Sequence, residues 1–312
     1  RAFSRIRPVR IVLVEAEVWP NLAAEAHARR IPLALINARL SPRSERRYRR
    51  FRFFVAPTFR LLDLVCVPET QDVERWAALG IPRDRIRVTG SIKYDPDVQV
   101  QGQTVAASVS DALHPFSSKH PVLFGGSTHR GEEEILARTF LRLRQQFPSL
   151  RLFIAPRHVE RLPEIRANLD AFPLRIALAS EALTSGEADA DCLLLDTTGE
   201  LQHWYGIASV VFVGKSLTAH GGQNPVEPIL AGKPAVFGPH MENFATLAKT
   251  LVSNNGAVQV ADSDSLECTV AELLRDSDAR ERLVQNARAA LSDHQGATAR
   301  VAALIHELTA RW

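Results

Sequence analysis

Residues 210–228 read VVFVGKSLTAHGGQNPVEP. Val210-Val211-Phe212-Val213 is a short β-branched and apolar run, the signature of a strand buried on both faces of a parallel sheet. After it, Gly221 and Gly222 let backbone approach a ligand closely, Asn224 suits a helix N-cap, and Pro225 suits the first helical position. Glu227 stands where a capping box would close. The plain reading is a well-capped helix. The sharper one is a helix N-terminus facing a nucleotide, its amides toward phosphate and Glu227 toward ribose hydroxyls, because helix starts after strand C-ends form the usual ligand crevice of α/β sheets.

Working outward, the same alternation of strand and helix fills the chain. Strands are expected at 121–124, 150–154, 192–195 and 235–237, with helices near 131–147, 243–253, 265–291 and 297–311. Three strand ends besides Val213 carry suggestive turns: Gly125-Gly126-Ser127-Thr128-His129, Pro156-Arg157-His158 and Asp196-Thr197-Thr198-Gly199-Glu200. Each alone reads as an ordinary βα turn. Four at one sheet edge predict a nucleotide crevice. Toward the start, strands are expected at 11–14, 33–36, 64–67 and 86–89, with helices near 21–30, 42–61 and 71–79. The pattern is a doubly wound α/β chain in two units, the first opening directly on a strand and thin in strands.

The chain has 312 residues and a net charge of +3, with 33 Arg against 5 Lys. Residues 1–97 hold 19 basic and 11 acidic side chains, so the first part is net +8 and the remainder net −5. That split suits an anionic partner for the first part. No run of 18 apolar residues exists, which excludes a membrane-spanning helix, and Cys66, Cys192 and Cys268 lack the paired spacing of a zinc ribbon or disulfide framework. Gly214-Lys215-Ser216 imitates the end of a phosphate-binding loop, but Ser209 stands where that motif begins with Gly. His129, His158, His220 and His240 show no tight metal-ligand spacing and read as hydrogen-bonding or surface residues.

In the first part, Glu15 and Glu17 follow a strand end, and Lys93 is a lone Lys in an Arg-rich region. Ser41-Pro42 is a helix start, after which Arg43, Arg46, Arg47 and Arg50 fall on one helical face. Four guanidiniums there repel unless an anion neutralises them, and a phosphate-bearing partner fits. Phe51 and Phe54 are expected to face the core.

Taken together, EAEVWPN (15–21), NARLSPRS (37–44), GSIKYD (90–95), GGSTHRGEE (125–133), APRH (155–158), DTTGEL (196–201), HGGQNPVEP (220–228) and GPHMENF (238–244) resemble the Kdo transferases. That family moves 3-deoxy-D-manno-octulosonic acid (Kdo) from CMP-Kdo onto lipid A precursor in lipopolysaccharide synthesis. The resemblance implies a GT-B fold of two Rossmann-like domains, here with the N-terminal one incomplete. The expected division is an acceptor domain over 1–97, a linker over 98–118, a CMP-sugar domain over 119–296, and a helix over 297–312 crossing back to the first domain. It implies CMP held by Pro156, Arg157, Thr198, Gly199, Glu200, Asn224, Pro225, Val226 and Glu227, and Glu15 and Lys93 as transition-state stabilisers. No cofactor and no metal are implied beyond the donor CMP-Kdo, and no nucleic acid.

The implied partner is lipid A precursor at the cytoplasmic face of the inner membrane, reached peripherally or through an N-terminal anchor. The family's general base and its anchor lie ahead of the first string, so the chain reads as N-terminally truncated. On that reading it binds CMP but transfers Kdo poorly or not at all. Lys215 stands where the family usually has a second glycine. The rival expectations are a non-catalytic nucleotide-sugar-binding or scaffold protein of the same fold, and a nucleotide-sugar epimerase.

Overall fold

The computed structural model describes residues 2–15, 18–95, 120–185 and 190–310. The expected linker over 98–118 and the carboxylate of Glu17 lie outside them. The chain divides into two compact units, residues 1–101 with 291–312, and residues 102–290.

The first unit holds a four-stranded parallel sheet in the order β1-β2-β3-β4, with β1 Ile11–Val14, β2 Leu33–Ile36, β3 Leu64–Val67 and β4 Ile86–Val88. A short helix, α1 (Ala2–Ile6), precedes β1, where the sequence suggested an immediate strand. Alternate residues of a strand face opposite sides of a sheet, so uninterrupted apolar runs need two covered faces. Leu33, Leu35, Val65 and Val67 pack on one side with Phe59 and Trp76. Ala34, Leu64 and Cys66 pack on the other, against Val301 and Leu308 of the last helix (Ala297–Ala310). Asp95 pins the start of that helix by accepting from the Gly296 and Thr298 amides at 3.0 and 2.7 Å.

Three helices flank these strands: α2 (Pro20–Ala28), α3 (Pro42–Arg50) and α4 (Arg52–Phe59), with α5 (Thr70–Ala77) before β4. The single helix expected over 42–61 is therefore two. Phe51, at φ −106° and ψ 28°, ends α3 and begins α4. The break shifts the helical phase, and the expectation for Phe51 and Phe54 fails: they are 49% and 75% exposed, with Phe53 at 87%, while Ala56 and Phe59 are buried instead.

The second unit is built on seven parallel strands: β5 Val122–Thr128, β6 Arg151–Pro156, β7 Ile176–Leu178, β8 Cys192–Leu194, β9 Val210–Val213, β10 Ala235–Phe237 and β11 Val258–Gln259. Their order is β11-β10-β9-β5-β6-β8-β7. Leu123, Leu152, Ile154, Val210 and Phe212 join one core, and Val122, Phe124, Phe153, Leu193 and Val211 the other, again by strand alternation. The helices are α6 (Glu132–Leu143), α7 (Leu162–Leu169), α8 (Ala179–Ser185), α9 (Leu201–Tyr205), α10 (Val226–Leu230), α11 (Ala245–Ser253), α12 (Ser263–Arg275) and α13 (Ser277–Leu291); the last helix, in the first unit, is α14. The long helix expected over 265–291 is interrupted at Asp276, whose Oδ1 accepts from the Ala279 amide at 2.8 Å and so starts a new helix. The chain leaves β5 in one direction to reach β6, β8 and β7, then returns to β9 on the other side of β5. That reversal is the place where open α/β sheets bind ligands.

Candidate functional site

At the C-terminal ends of β5, β6 and β8 lies a crevice of about 410 Å³. Of the nine residues expected to hold CMP, Pro156, Arg157, Thr198, Gly199, Asn224 and Glu227 line it, whereas Glu200, Pro225 and Val226 do not. Ser127 and Gln223, not among the nine, line it as well.

The local reasons are legible in the backbone. Gly199 has φ +87° and open space where a Cβ would sit, so the β8–α9 turn can bend beside the crevice at no steric cost. Arg157 follows β6, and its amide donates to the Thr128 carbonyl at 3.1 Å, fixing its backbone against the end of β5. The Arg157 side chain is exposed and Glu227 is half-buried. Burial pushes the Glu227 carboxyl above its ordinary range, against the pull of the Asn224 amide and the Arg157 charge.

The start of α10 corrects a sequence expectation. Helix α10 has five residues and begins at Val226 with Pro225 as cap residue, one position later than expected. Asn224 Oδ1 accepts from the Val226 amide at 3.1 Å, and Asn224 Nδ2 donates to Glu227 Oε1 at 3.1 Å. Asn224 therefore supplies both bonds from its side chain, in place of a capping box closed onto the backbone. The Val226 amide is already engaged. What this turn presents to the crevice is side-chain chemistry, the Asn224 amide and the Glu227 carboxylate.

The loop after β9 is organised by a residue whose role was not legible. Glu132, fully buried at the first position of α6, accepts from the amides of Lys215, Ser216 and Leu217 at 2.8, 2.9 and 3.0 Å, and from the His129 amide at 2.8 Å. The nest of amides that made Gly214-Lys215-Ser216 look like a phosphate cradle is thus occupied by a carboxylate of the chain itself. Beside it, the buried Glu133 accepts from Thr128 Oγ1 at 2.9 Å and pairs with Arg161 at 3.0 Å. A run of carboxylates at a helix start ordinarily reads as macrodipole decoration. The signal that could have exposed it was the glycine pair on the preceding strand, which draws α6 close: a Cβ at Gly125 would sit 2.4 Å from Leu136.

In the first unit, Glu15 follows β1 with φ +65° and forms an ion pair with Lys93, each side chain about half exposed. The two are brought together across 78 residues because both follow C-terminal strand ends of the same sheet. Arg43, Arg46, Arg47 and Arg50 are all exposed on α3. The one acid of that helix, Glu45, is held by Arg49 and Arg75 at 2.9 and 2.7 Å. Arg47 lies over Tyr48 and Arg50 over Phe51, so the basic face runs into the exposed aromatic cluster of Phe51, Phe53 and Phe54.

Two parallel α/β units, the second with a crevice at its switch point, define a protein of the GT-B class. The fold is shared with a putative UDP-N-acetylglucosamine 2-epimerase from Listeria monocytogenes, at a TM-score of 0.65 and 14% identity over 97% of this chain and 75% of that one. Residues 1–96 match the family model described as 3-deoxy-D-manno-octulosonic-acid transferase (kdotransferase). A 3-deoxy-D-manno-octulosonic acid transferase from Haemophilus influenzae is 31% identical over 98% of this chain and 71% of its own length. The C-terminal CMP-Kdo binding domain of WaaA from Acinetobacter baumannii superposes with a TM-score of 0.55 and 27% identity, over 60% of this chain and 98% of that domain. The chain belongs to the Kdo transferase family.

Proposed function

We propose that this protein transfers Kdo from CMP-Kdo to a lipid A precursor, with the nucleotide seated in the crevice of the second unit. The observation that carries the reading is the crevice itself, where the Arg157 cation, the Asn224 amide and the Glu227 carboxylate line one cavity, in the unit that resembles a CMP-Kdo binding domain. Arg157 would meet the phosphate by a charge-assisted bond, and Glu227 would accept from ribose hydroxyls. An acceptor hydroxyl attacks the anomeric carbon of Kdo, the bond from that carbon to the phosphate oxygen breaks, CMP departs with the electron pair, and the hydroxyl proton is released to water. Lys93 would balance the Kdo carboxylate or the departing phosphate, and Glu15 would favour the oxocarbenium-like centre.

For the acceptor, the exposed guanidiniums of Arg43, Arg46, Arg47 and Arg50 suit lipid A phosphates. The neighbouring Phe51, Phe53 and Phe54 suit the boundary between headgroup and acyl chain. No helix among the described residues is long and apolar enough to cross a membrane. Docking at the cytoplasmic face of the inner membrane is accordingly proposed to be peripheral for this part of the chain.

The test is a calorimetric titration with CMP and UDP, followed by incubation with CMP-Kdo and lipid A precursor. Preference for CMP and formation of a Kdo-bearing lipid support the reading. Preference for UDP would replace it with the epimerase reading, and CMP binding with no transfer even by a chain extended through the family's general base would replace it with the binding-protein reading.

A further inference from the structure

His220 and His240 stand twenty residues apart, one after β9 and the other after β10, yet their rings lie 4.0 Å apart between centroids. Both turn a ring nitrogen toward the same carboxylate oxygen: Nδ1 of His220 lies 3.0 Å and Nδ1 of His240 3.5 Å from Glu242 Oε1. One ligand atom from each of the three residues lies within 4.8 Å of the other two. A tetrahedral ion with bonds near 2.0 Å spaces its ligands about 3.3 Å apart. Two of the three separations straddle that value, and rotation of the exposed His220 ring can close the third.

The surroundings hold this arrangement in place. Glu242 Oε2 accepts from the Gly221 amide at 2.6 Å, which fixes the carboxylate and leaves Oε1 toward the imidazoles, as hydrogen bonds from neighbouring groups orient the ligands of metal sites. The His240 amide donates to Ser216 and the Asn243 amide to Gly221, so the two loops are tied together at either side of the cluster. Gly222, at φ +67°, allows the approach: a Cβ there would sit 2.4 Å from Met241 Sδ. Two strings of the sequence, HGGQNPVEP and GPHMENF, contribute the three side chains.

We propose that His220, His240 and Glu242 form a binding site for a divalent transition-metal ion of the Zn²⁺ class. Two imidazoles and a carboxylate suit that class, and three protein ligands leave a position for water or an anionic oxygen. The ion would brace the 214–224 loop, which carries Gln223 and Asn224 to the crevice, against the 238–244 loop.

The probe is Co²⁺ titrated into untagged protein, read by the visible ligand-field absorption of low-coordinate cobalt, with Zn²⁺ displacing it. The expected result is saturation at one equivalent, and apparent affinity lowered at least ~10-fold in His220→Ala, in His240→Ala and in Glu242→Gln. His27→Ala, at an exposed histidine of α2, should leave the titration unchanged. Circular dichroism of each variant shows that it is folded, and Zn²⁺ should raise the melting temperature of the wild type but not of the His220→Ala/His240→Ala double variant. Absence of a saturable spectrum, or a spectrum that survives in the folded double variant, overturns the site and leaves the cluster a hydrogen-bonded brace.

Discussion

Both units place charged groups at the C-terminal ends of parallel strands, but they hold them differently. In the second unit, carboxylates are buried and answered by fixed partners: Glu132 by four backbone amides, Glu133 by Thr128 and Arg161. In the first, Glu15 and Lys93 meet side chain to side chain with half their surface in water, and the arginine face of α3 is exposed throughout. A buried acceptor fixes a loop before any ligand arrives. An exposed pair costs little to rearrange and suits a surface that must adapt to a large, amphipathic acceptor.

The largest effect should come from breaking the buried arrangement. Glu132→Ala strands four amides, and each unsatisfied buried donor costs about 1–3 kcal/mol. Water entering the vacated volume recovers part of this, so the expected loss is on the order of 3–5 kcal/mol in urea unfolding. Glu132→Gln, which trades one acceptor oxygen for a donor, should fall between that variant and the wild type. A change under about 1 kcal/mol in the alanine variant would mean that the loop after β9 is not held by this carboxylate.

Next in size is Arg157→Ala. A charge-assisted bond to phosphate contributes about 1.5–3 kcal/mol, so CMP affinity should fall roughly 10–100-fold in calorimetry while cytidine binding changes little. Equal losses for nucleotide and nucleoside would place Arg157 away from the phosphate.

A smaller, pH-dependent effect is expected from Glu227. Its carboxyl is raised by burial, so it takes up its proton at a milder pH than an ordinary glutamate. Ribose hydroxyls bond more strongly to the ionised form, whose charge makes it the better acceptor. CMP affinity should therefore weaken as pH falls, starting above the usual carboxylate range, with proton release on binding in that window. Because the phosphate of CMP itself titrates near pH 6, the quantity to compare is wild type against Glu227→Gln, in which the contribution of residue 227 should disappear. Parallel profiles for the two proteins would remove Glu227 from ribose recognition.

How far the sequence carried these readings differs between the units for physical reasons. Buried strands such as Leu64–Val67 and Val210–Val213 were legible because burial on both faces demands unbroken apolar runs. β7 and β11, three and two residues at the two edges of the second sheet, are short and not fully buried, and neither was anticipated. The turns at Pro156-Arg157, Thr198-Gly199 and Asn224 were visible as punctuation after strands, which is why those residues could be gathered at one edge. Glu132 was not, because three of its four partners are backbone amides some 83 to 85 positions away, and amides leave no trace in residue identity. Phe51 and Phe54 were misplaced because the α3–α4 break lies in Phe51's own dihedrals, with no glycine or proline there to announce it. His220 and His240 read from sequence as hydrogen-bonding or surface residues, because metal-ligand spacing within one element is a sequence pattern, whereas convergence of two loops is not.

The smallest effect concerns the exposed pair. With side chains 50% and 43% exposed, the Lys93–Glu15 bridge gains little over solvation by water, and Lys93→Met or Glu15→Gln should change unfolding free energy by less than about 1 kcal/mol. Adding salt should narrow even that difference, since the pair is open to counterions. This near-neutrality is what makes the two variants informative. A folded, equally stable Lys93→Met protein that still binds CMP but forms less Kdo-lipid would assign Lys93 to the transfer step and not to donor binding. If instead the variant unfolds several kcal/mol more easily, the pair is part of the scaffold, and the contrast between a fixed second unit and an adaptable first one fails at the point where the two carry comparable charges.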